Sequence, residues 1–238
     1  VANLWLGTSG FSYKEWRPDF YPADLPPREF LRYYASRFNS VEIDSTFYRM
    51  PNAARIEAWK GATGEGFRFS LKASRRITHQ EQLRVPSDAL GYLIRVLSGL
   101  EHRLGTVLFQ LPPFLPADPG RLEKFVSVLP RGFRCAFEFR HDSWFAPGVL
   151  EILREHGAAL CIHDVDDRAP LLELTAPFTY VRLRRSEYGP GLRQEWGRRM
   201  NDWTARGIEV YAYLKHEGSP RAPAIAEEFG RVSSPRAA

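Results

Sequence analysis

The stretch Ser40-Val41-Glu42-Ile43-Asp44-Ser45-Thr46-Phe47 decides the fold. Side chains alternate across a strand, so Glu42 and Asp44 share one face while Val41 and Ile43 share the other. The apolar face suits a layer of helices. The acidic face suits the inside of a barrel, at the strand's C-terminal end. Seven more short apolar runs end in polar groups, at residues 4–7, 67–73, 106–111, 135–139, 159–162, 180–183 and 210–214. Their ends carry Thr8 and Ser9, then Lys72, then Gln110, then Glu138 with Arg140 and His141. His163 with Asp164, Arg182 with Arg184, and Tyr213 with Lys215 and His216 complete the set. This layout predicts an α/β protein, a (β/α)8 barrel of the TIM type, with its chemistry on one face.

The same parity reading extends around the ring. Ser70 and Lys72 oppose Phe69 and Leu71, and Glu138 and Arg140 oppose Phe137 and Phe139. Arg182 and Arg184 oppose Val181 and Leu183, and Tyr211, Tyr213 and Lys215 oppose Val210, Ala212 and Leu214. Charged side chains are rarely buried unless paired. Glu42, Asp44 and Glu138 facing Lys72, Arg140, Arg182 and Arg184 would provide the pairing.

Helical spacing places helices over 28–38, 52–59, 88–104, 119–129, 149–156, 193–206 and 222–231. Gly157 and Gly207 follow two of them as natural stops. An irregular crossing is expected over 166–177, which holds two prolines. Residues 1–232 read as a single domain and 233–238 as a frayed tail.

The chain has 238 residues, a length that suits one such barrel. No apolar run approaches the roughly 18 residues of a membrane span. Residues 1–4 lack a basic, apolar, cleavable leader, so a cytoplasmic protein without a membrane partner is expected. Cys135 and Cys161 are the only cysteines and read as small apolar fillers on strands five and six. The formal charge is +5, and 28 of the 33 basic residues are Arg. The guanidinium fork matches phosphate and carboxylate, so the balance favours an anionic partner. No sequence feature specifies an oligomeric state.

The opening Leu6-Gly7-Thr8-Ser9-Gly10-Phe11-Ser12-Tyr13, with Trp16 and Phe20-Tyr21-Pro22, is similar to the DUF72, or YecE-like, family. So are Phe38-Asn39-Ser40-Val41-Glu42-Ile43-Asp44-Ser45-Thr46-Phe47-Tyr48, Lys72, Ile77-Thr78-His79 and Gln110-Leu111-Pro112-Pro113. Glu138-Phe139-Arg140-His141 with Ser143-Trp144 closes the series. The motifs run in family order across most of the chain. The resemblance implies a TIM barrel and brings no assigned activity with it. Three positions depart from the family pattern. Asp44 stands where Asn is usual, Arg184-Arg185 where His-Gly is common, and Lys215-His216 where Asn-Asn is frequent. The last two make that end of the site more basic.

Four constellations carry the candidate chemistry. Glu42, Asp44, Glu138 and Asp164, with His79, His141 and His163, are types that hold a divalent metal, the one cofactor considered. The bland alternative is a salt-bridged barrel mouth. For acid–base catalysis the expected residues are Glu42, Glu138, His141, Asp164 and Lys72. Adjacent cations would instead keep both glutamates ionised. The basic set of Lys72, Arg140, Arg182, Arg184, Arg185 and Lys215 suits a phosphate or sugar acid. Ser9, Asp44, Tyr48, His79, Gln110 and Tyr213 complete the expected substrate contacts. The aromatics Phe11, Tyr13, Trp16, Phe20, Tyr21, Tyr48, Trp144 and Tyr188 could stack on a ligand or pack as lids.

The leading expectation is an enzyme for a small anionic substrate or nucleic acid, working by metal-assisted phosphoester hydrolysis. The alternatives are a metal-free acid–base isomerase or lyase on a sugar or sugar acid, and a non-catalytic binder of an anion or nucleic acid. Gly7-Thr8-Ser9-Gly10 is not a phosphate loop, since the Gly-Lys-Ser/Thr ending is missing.

Overall fold

The computed structural model describes residues 2–215 and 220–233. Eight parallel strands close into a barrel in chain order: β1 (Leu4–Ser9), β2 (Ser40–Ile43), β3 (Arg68–Lys72), β4 (Leu104–Gln110), β5 (Cys135–Glu138), β6 (Ala159–Asp164), β7 (Phe178–Leu183) and β8 (Glu209–Lys215). β8 pairs back onto β1, from Leu4 beside Val210 to Ser9 beside Lys215. The helices are α1 (Phe30–Ala35), α2 (Ala53–Ala62), α3 (Asp88–Leu97), α4 (Pro119–Ser127), α5 (Pro147–Glu155), α6 (Pro190–Ala205) and α7 (Ala222–Ser233). No helix joins β6 to β7, as the prolines of that crossing led us to expect. No helix among the described residues is long and apolar enough to cross a membrane.

Several helix boundaries differ from the spacing-based ones. The expected 28–38 helix is a 3-10 turn, Pro27–Glu29, followed by a short α1. The expected 88–104 helix stops at Leu97. Residues Ser98–Arg103 tighten into 3-10 turns, broken at Glu101 with φ 54° and ψ −130°. That kink turns the chain so that Leu104 enters β4. Gly157 and Gly207, at φ 61° and 84°, end α5 and α6 in the left-handed conformation that glycine tolerates. Ser233, the first residue of the expected 233–238 tail, belongs to α7, while His216 and the rest of that tail, 234–238, lie outside the described residues.

Two cores follow from strand parity. Outside the barrel, apolar strand residues meet the helices; Phe109 and Phe137 stack at 5.4 Å, and Phe125 of α4 closes edge-on to Phe109 at 5.0 Å. Inside, Trp5, Leu108, Ala136, Cys161, Phe178, Tyr180, Tyr211 and Tyr213 fill the lumen. Tyr213 Oη lies 2.6 Å from Ser40 Oγ and donates to Ser70 Oγ at 2.8 Å, so its hydroxyl is satisfied in the dry interior. The barrel is therefore plugged from below, and its polar groups concentrate at the C-terminal mouth.

Gly7 marks the tightest seam. A Cβ there would lie 2.0 Å from the Ser40 carbonyl oxygen and 2.6 Å from Tyr34 Oη. Tyr34 Oη also accepts the Thr8 N–H at 2.7 Å, so it is not free to retreat. Gly7→Ala is expected to cost roughly 1–3 kcal/mol, the usual penalty for overpacking a filled site. Urea unfolding checks this; an unchanged midpoint would mean that β1 and β2 separate freely.

Candidate functional site

The mouth is assembled by register. Ser9 of β1 sits beside Glu42 of β2, Gln110 of β4 beside Glu138 of β5, and His163 of β6 beside Arg182 of β7. At its centre is Arg182, whose side chain is 2% exposed. Its guanidinium donates to Glu42 Oε1 at 2.7 Å and to Glu138 Oε2 at 2.6 Å. Glu42 also accepts the Ser9 hydroxyl in a short hydrogen bond, and the Tyr180 hydroxyl at 2.6 Å. Glu138 Oε1 accepts two bonds from Arg140, at 2.8 and 2.6 Å. Two fully buried carboxylates are thus held by one buried arginine and a ring of donors, the arrangement that buried charge requires.

The electrostatics follow from this geometry. Burial pushes the Glu42 carboxyl up, but Arg182 and the hydrogen bonds from Ser9 and Tyr180 outweigh it and leave it below the usual range. Glu138 is likewise opposed by burial and held low by Arg182 and Arg140. Both are poor bases. Burial and the Arg182 charge bring the Lys72 amine down to about 8. Lys72 Nζ lies 3.9 Å from the centre of the Phe47 ring. Burial and Arg184 bring Lys215 to about 8, and burial and Arg182 bring Arg184 to about 10. Burial together with Glu42 raises the Asp44 carboxyl. Burial lowers His163 to about 4, so its ring is neutral. Among the described residues, Lys72, Arg140, Arg182, Arg184 and Lys215 outnumber Glu42, Asp44 and Glu138 at this mouth.

Several sequence expectations are relocated. Asp164 does not join the acidic group. His163 takes the inward position on β6, so Asp164 points outward and accepts Arg185 Nε at 2.8 Å, Trp196 Nε1 at 2.9 Å and the Tyr188 hydroxyl at 3.0 Å. It ties β6 to β7 and α6. His141 caps the 3-10 turn Asp142–Phe145, its Nδ1 lying 2.8 Å from Ser143 Oγ. Tyr213 sits one layer below the mouth, among Ser40 and Ser70. Tyr48 is 79% exposed on the rim, against Phe47 at 5.0 Å. His79 meets the same Phe47 ring edge-on at 5.0 Å, and its Nδ1 lies 2.9 Å from Thr78 Oγ1.

Gln110 Oε1 and His163 Nε2 are buried with no hydrogen-bond partner among the described residues. Of the aromatics, Trp16, Phe20, Tyr21, Trp144 and Tyr188 are buried packing lids, while Phe11 and Tyr13 are half-buried. Tyr180 was not anticipated as a site residue. Its position two before Arg182 on the same strand face was the available signal.

The carboxylate–histidine metal centre is not assembled. Glu42 and Glu138 are engaged by arginines, and among the described residues no three His, Cys, Asp or Glu side chains converge as a metal site.

Comparison with known proteins places the chain in a family. A family model described as protein of unknown function DUF72 matches residues 5–237. The UPF0759 protein YunF of Bacillus subtilis (strain 168) is 27% identical over 209 residues, covering 84% of this chain and 72% of that protein. The UPF0759 protein YecE of Escherichia coli (strain K12) is 35% identical over 122 residues, 51% of this chain and 45% of that one. The crystal structure of a DUF72 family protein from Thermotoga maritima MSB8 superposes with a TM-score of 0.79 at 26% identity, covering 96% of this chain and 98% of that chain.

Proposed function

We propose that this chain, which belongs to the DUF72 family, binds a small anionic molecule at the C-terminal mouth of its barrel and moves a proton on it without a metal. The observation that carries the reading is Arg182 bridging Glu42 and Glu138 at 2.7 and 2.6 Å. It engages both glutamates and so takes them out of use as bases and as metal ligands, while Lys72, Arg184 and Lys215 add further positive charge at the mouth.

Lys72 then serves as the proton acceptor. An amine brought down to about 8 is partly neutral near physiological pH, which a general base requires. Arg184 and Lys215 supply positive charge for the anionic group and for oxygen charge that develops when a proton leaves a neighbouring carbon. Asp44, raised by burial and by Glu42, is the second proton carrier beside Lys72. Gln110 Oε1 and His163 Nε2 are buried polar atoms without a hydrogen-bond partner among the described residues, and a hydroxylated substrate that displaced the side chains over them would supply one. Sugar phosphates and sugar acids combine these groups: an anion, hydroxyls and an acidic carbon next to a carbonyl.

The test is a panel of sugar phosphates and sugar acids incubated with the protein in heavy water and a chelator, followed by NMR. Deuterium entering the carbon beside the carbonyl, undiminished by the chelator and abolished in Lys72→Met, is the expected result. No exchange with any compound, together with no calorimetric binding, defeats the reading. Activity that the chelator removes would restore the metal-assisted alternative.

A further inference from the structure

Beside the mouth, between α1, α2 and the loop after β1, lies a cavity of about 600 Å³. That volume falls in the range of small-molecule sites and exceeds what a lone anion fills. Its apolar lining includes Phe11, Leu31, Met50 and Trp59, and Arg28, Arg49 and Arg55 line it as well. All three arginines are exposed, whereas Leu31 and Trp59 are buried. The cavity and the mouth share a wall. Asp44 lines the cavity and feels the charges of Glu42, Arg182 and Lys72. Tyr13, also in the lining, donates its hydroxyl to the Ser9 carbonyl oxygen at 3.0 Å. Arg184 and Lys215 line a smaller cavity of about 210 Å³ on the other side of the mouth, so a ligand body larger than that cavity has its room on the Asp44 side.

We infer that the cavity is a second subsite, which takes the apolar, ring-bearing body of a ligand whose anionic head occupies the mouth. The inference rests on the mouth being an anion site, and it narrows the substrate class to anions that carry an aryl or similarly apolar group besides the phosphate or carboxylate head and the acidic carbon. Planar guanidinium groups at the cavity suit a flat ring, since Arg stacks on aromatic faces as well as pairing with anions. The half-buried Phe11 ring offers a second such surface.

Calorimetric titration of the full chain with three probes tests this: inorganic phosphate for the head, 1-naphthol for the body, and 1-naphthyl phosphate for both. The expected result is that 1-naphthyl phosphate binds at least about tenfold more tightly than phosphate, the gain from burying one ring. Ala58→Phe fills the cavity from an exposed position of α2. It is expected to bring 1-naphthyl phosphate down to the affinity of phosphate, with the thermal midpoint reporting that the fold is intact. Equal affinity of the two anions in the parent, or a gain that survives Ala58→Phe, overturns the inference and leaves the mouth reading standing. Binding of 1-naphthol that Ala58→Phe abolishes, without any binding of phosphate, upholds the cavity and overturns the mouth reading. No binding of any probe overturns both.

Discussion

Replacing Arg182 with Met is expected to destabilise the protein by about 3–5 kcal/mol, the cost of removing one partner from a buried ion pair. The guanidinium has no substitute. It lies between Glu42 and Glu138, both fully buried, and donates to each within 2.7 Å. Met fills similar volume but leaves two carboxylates sharing a dry mouth. Arg140 still reaches Glu138, while Glu42 keeps only the uncharged donors Ser9 and Tyr180.

The variant should therefore change the acid side of the stability profile. In the parent, both carboxyls sit below their unfolded value, so their contribution is full above that value and is lost as pH falls through the folded one. In Arg182→Met the main opposing charge is gone, burial weighs more against the donors that remain, both values rise, and acid costs the variant less stability than it costs the parent. Adding Glu42→Gln and Glu138→Gln should recover part of the loss. Urea unfolding between mildly acidic and neutral pH reads all of this. A loss below about 1 kcal/mol would mean that water solvates the pair and the mouth is not dry.

Legibility from the sequence divides along strand composition. On β2, β5, β7 and β8, charged or tyrosine residues alternate with apolar ones, so the inward face could be read directly. On β6 the run Ala159-Leu160-Cys161-Ile162 is apolar throughout, and nothing in it distinguishes the faces. That is why Asp164 was grouped with the acids while His163 holds the inward position. Tyr180 was legible by the β7 alternation, two positions before Arg182, but an aromatic residue at the start of an apolar run reads first as packing. The pairing of mouth cations with mouth carboxylates was readable as a need, because buried charges demand partners. Which cation would serve both glutamates was not, since Glu42 and Arg182 are separated by 140 residues and meet only across the closed barrel. The consequence for chemistry lay in that one contact: it turns the best carboxylate pair in the sequence into a fixed ion network, which is why the proposed acid–base role passes to Lys72. The aromatic motifs near the N-terminus divided by packing depth, with Trp16 and Tyr21 wholly buried and Tyr48 left on the rim.

Lys72→Met and Lys72→Arg are expected to separate binding from proton transfer. Both variants remove an amine that can lose its proton near neutral pH, so both should lower turnover by roughly 10²–10⁴-fold, the usual worth of a general base. Only Met removes the charge, so only Met should also weaken binding of the anion. The pH dependence has a defined sign. The folded amine sits at about 8, below its ordinary 10.5, so between those values the unfolded chain holds more protons. Parent stability should therefore rise from pH 8 towards 10.5 and be lower at and below 8, by roughly 1–3 kcal/mol for this group. Lys72→Met should flatten that rise and be more stable than the parent at neutral pH. Anion binding works in the opposite direction: a bound negative charge favours the ammonium, raises the amine's value and takes up a proton. Affinity for phosphate should then fall as pH passes 8 in the parent and fall less steeply in Lys72→Arg, where Lys215 alone of the two amines still loses its charge there. If Lys72→Arg keeps full turnover, or if parent affinity ignores pH across 8, Lys72 is a spectator and the proton must be carried by Asp44 instead.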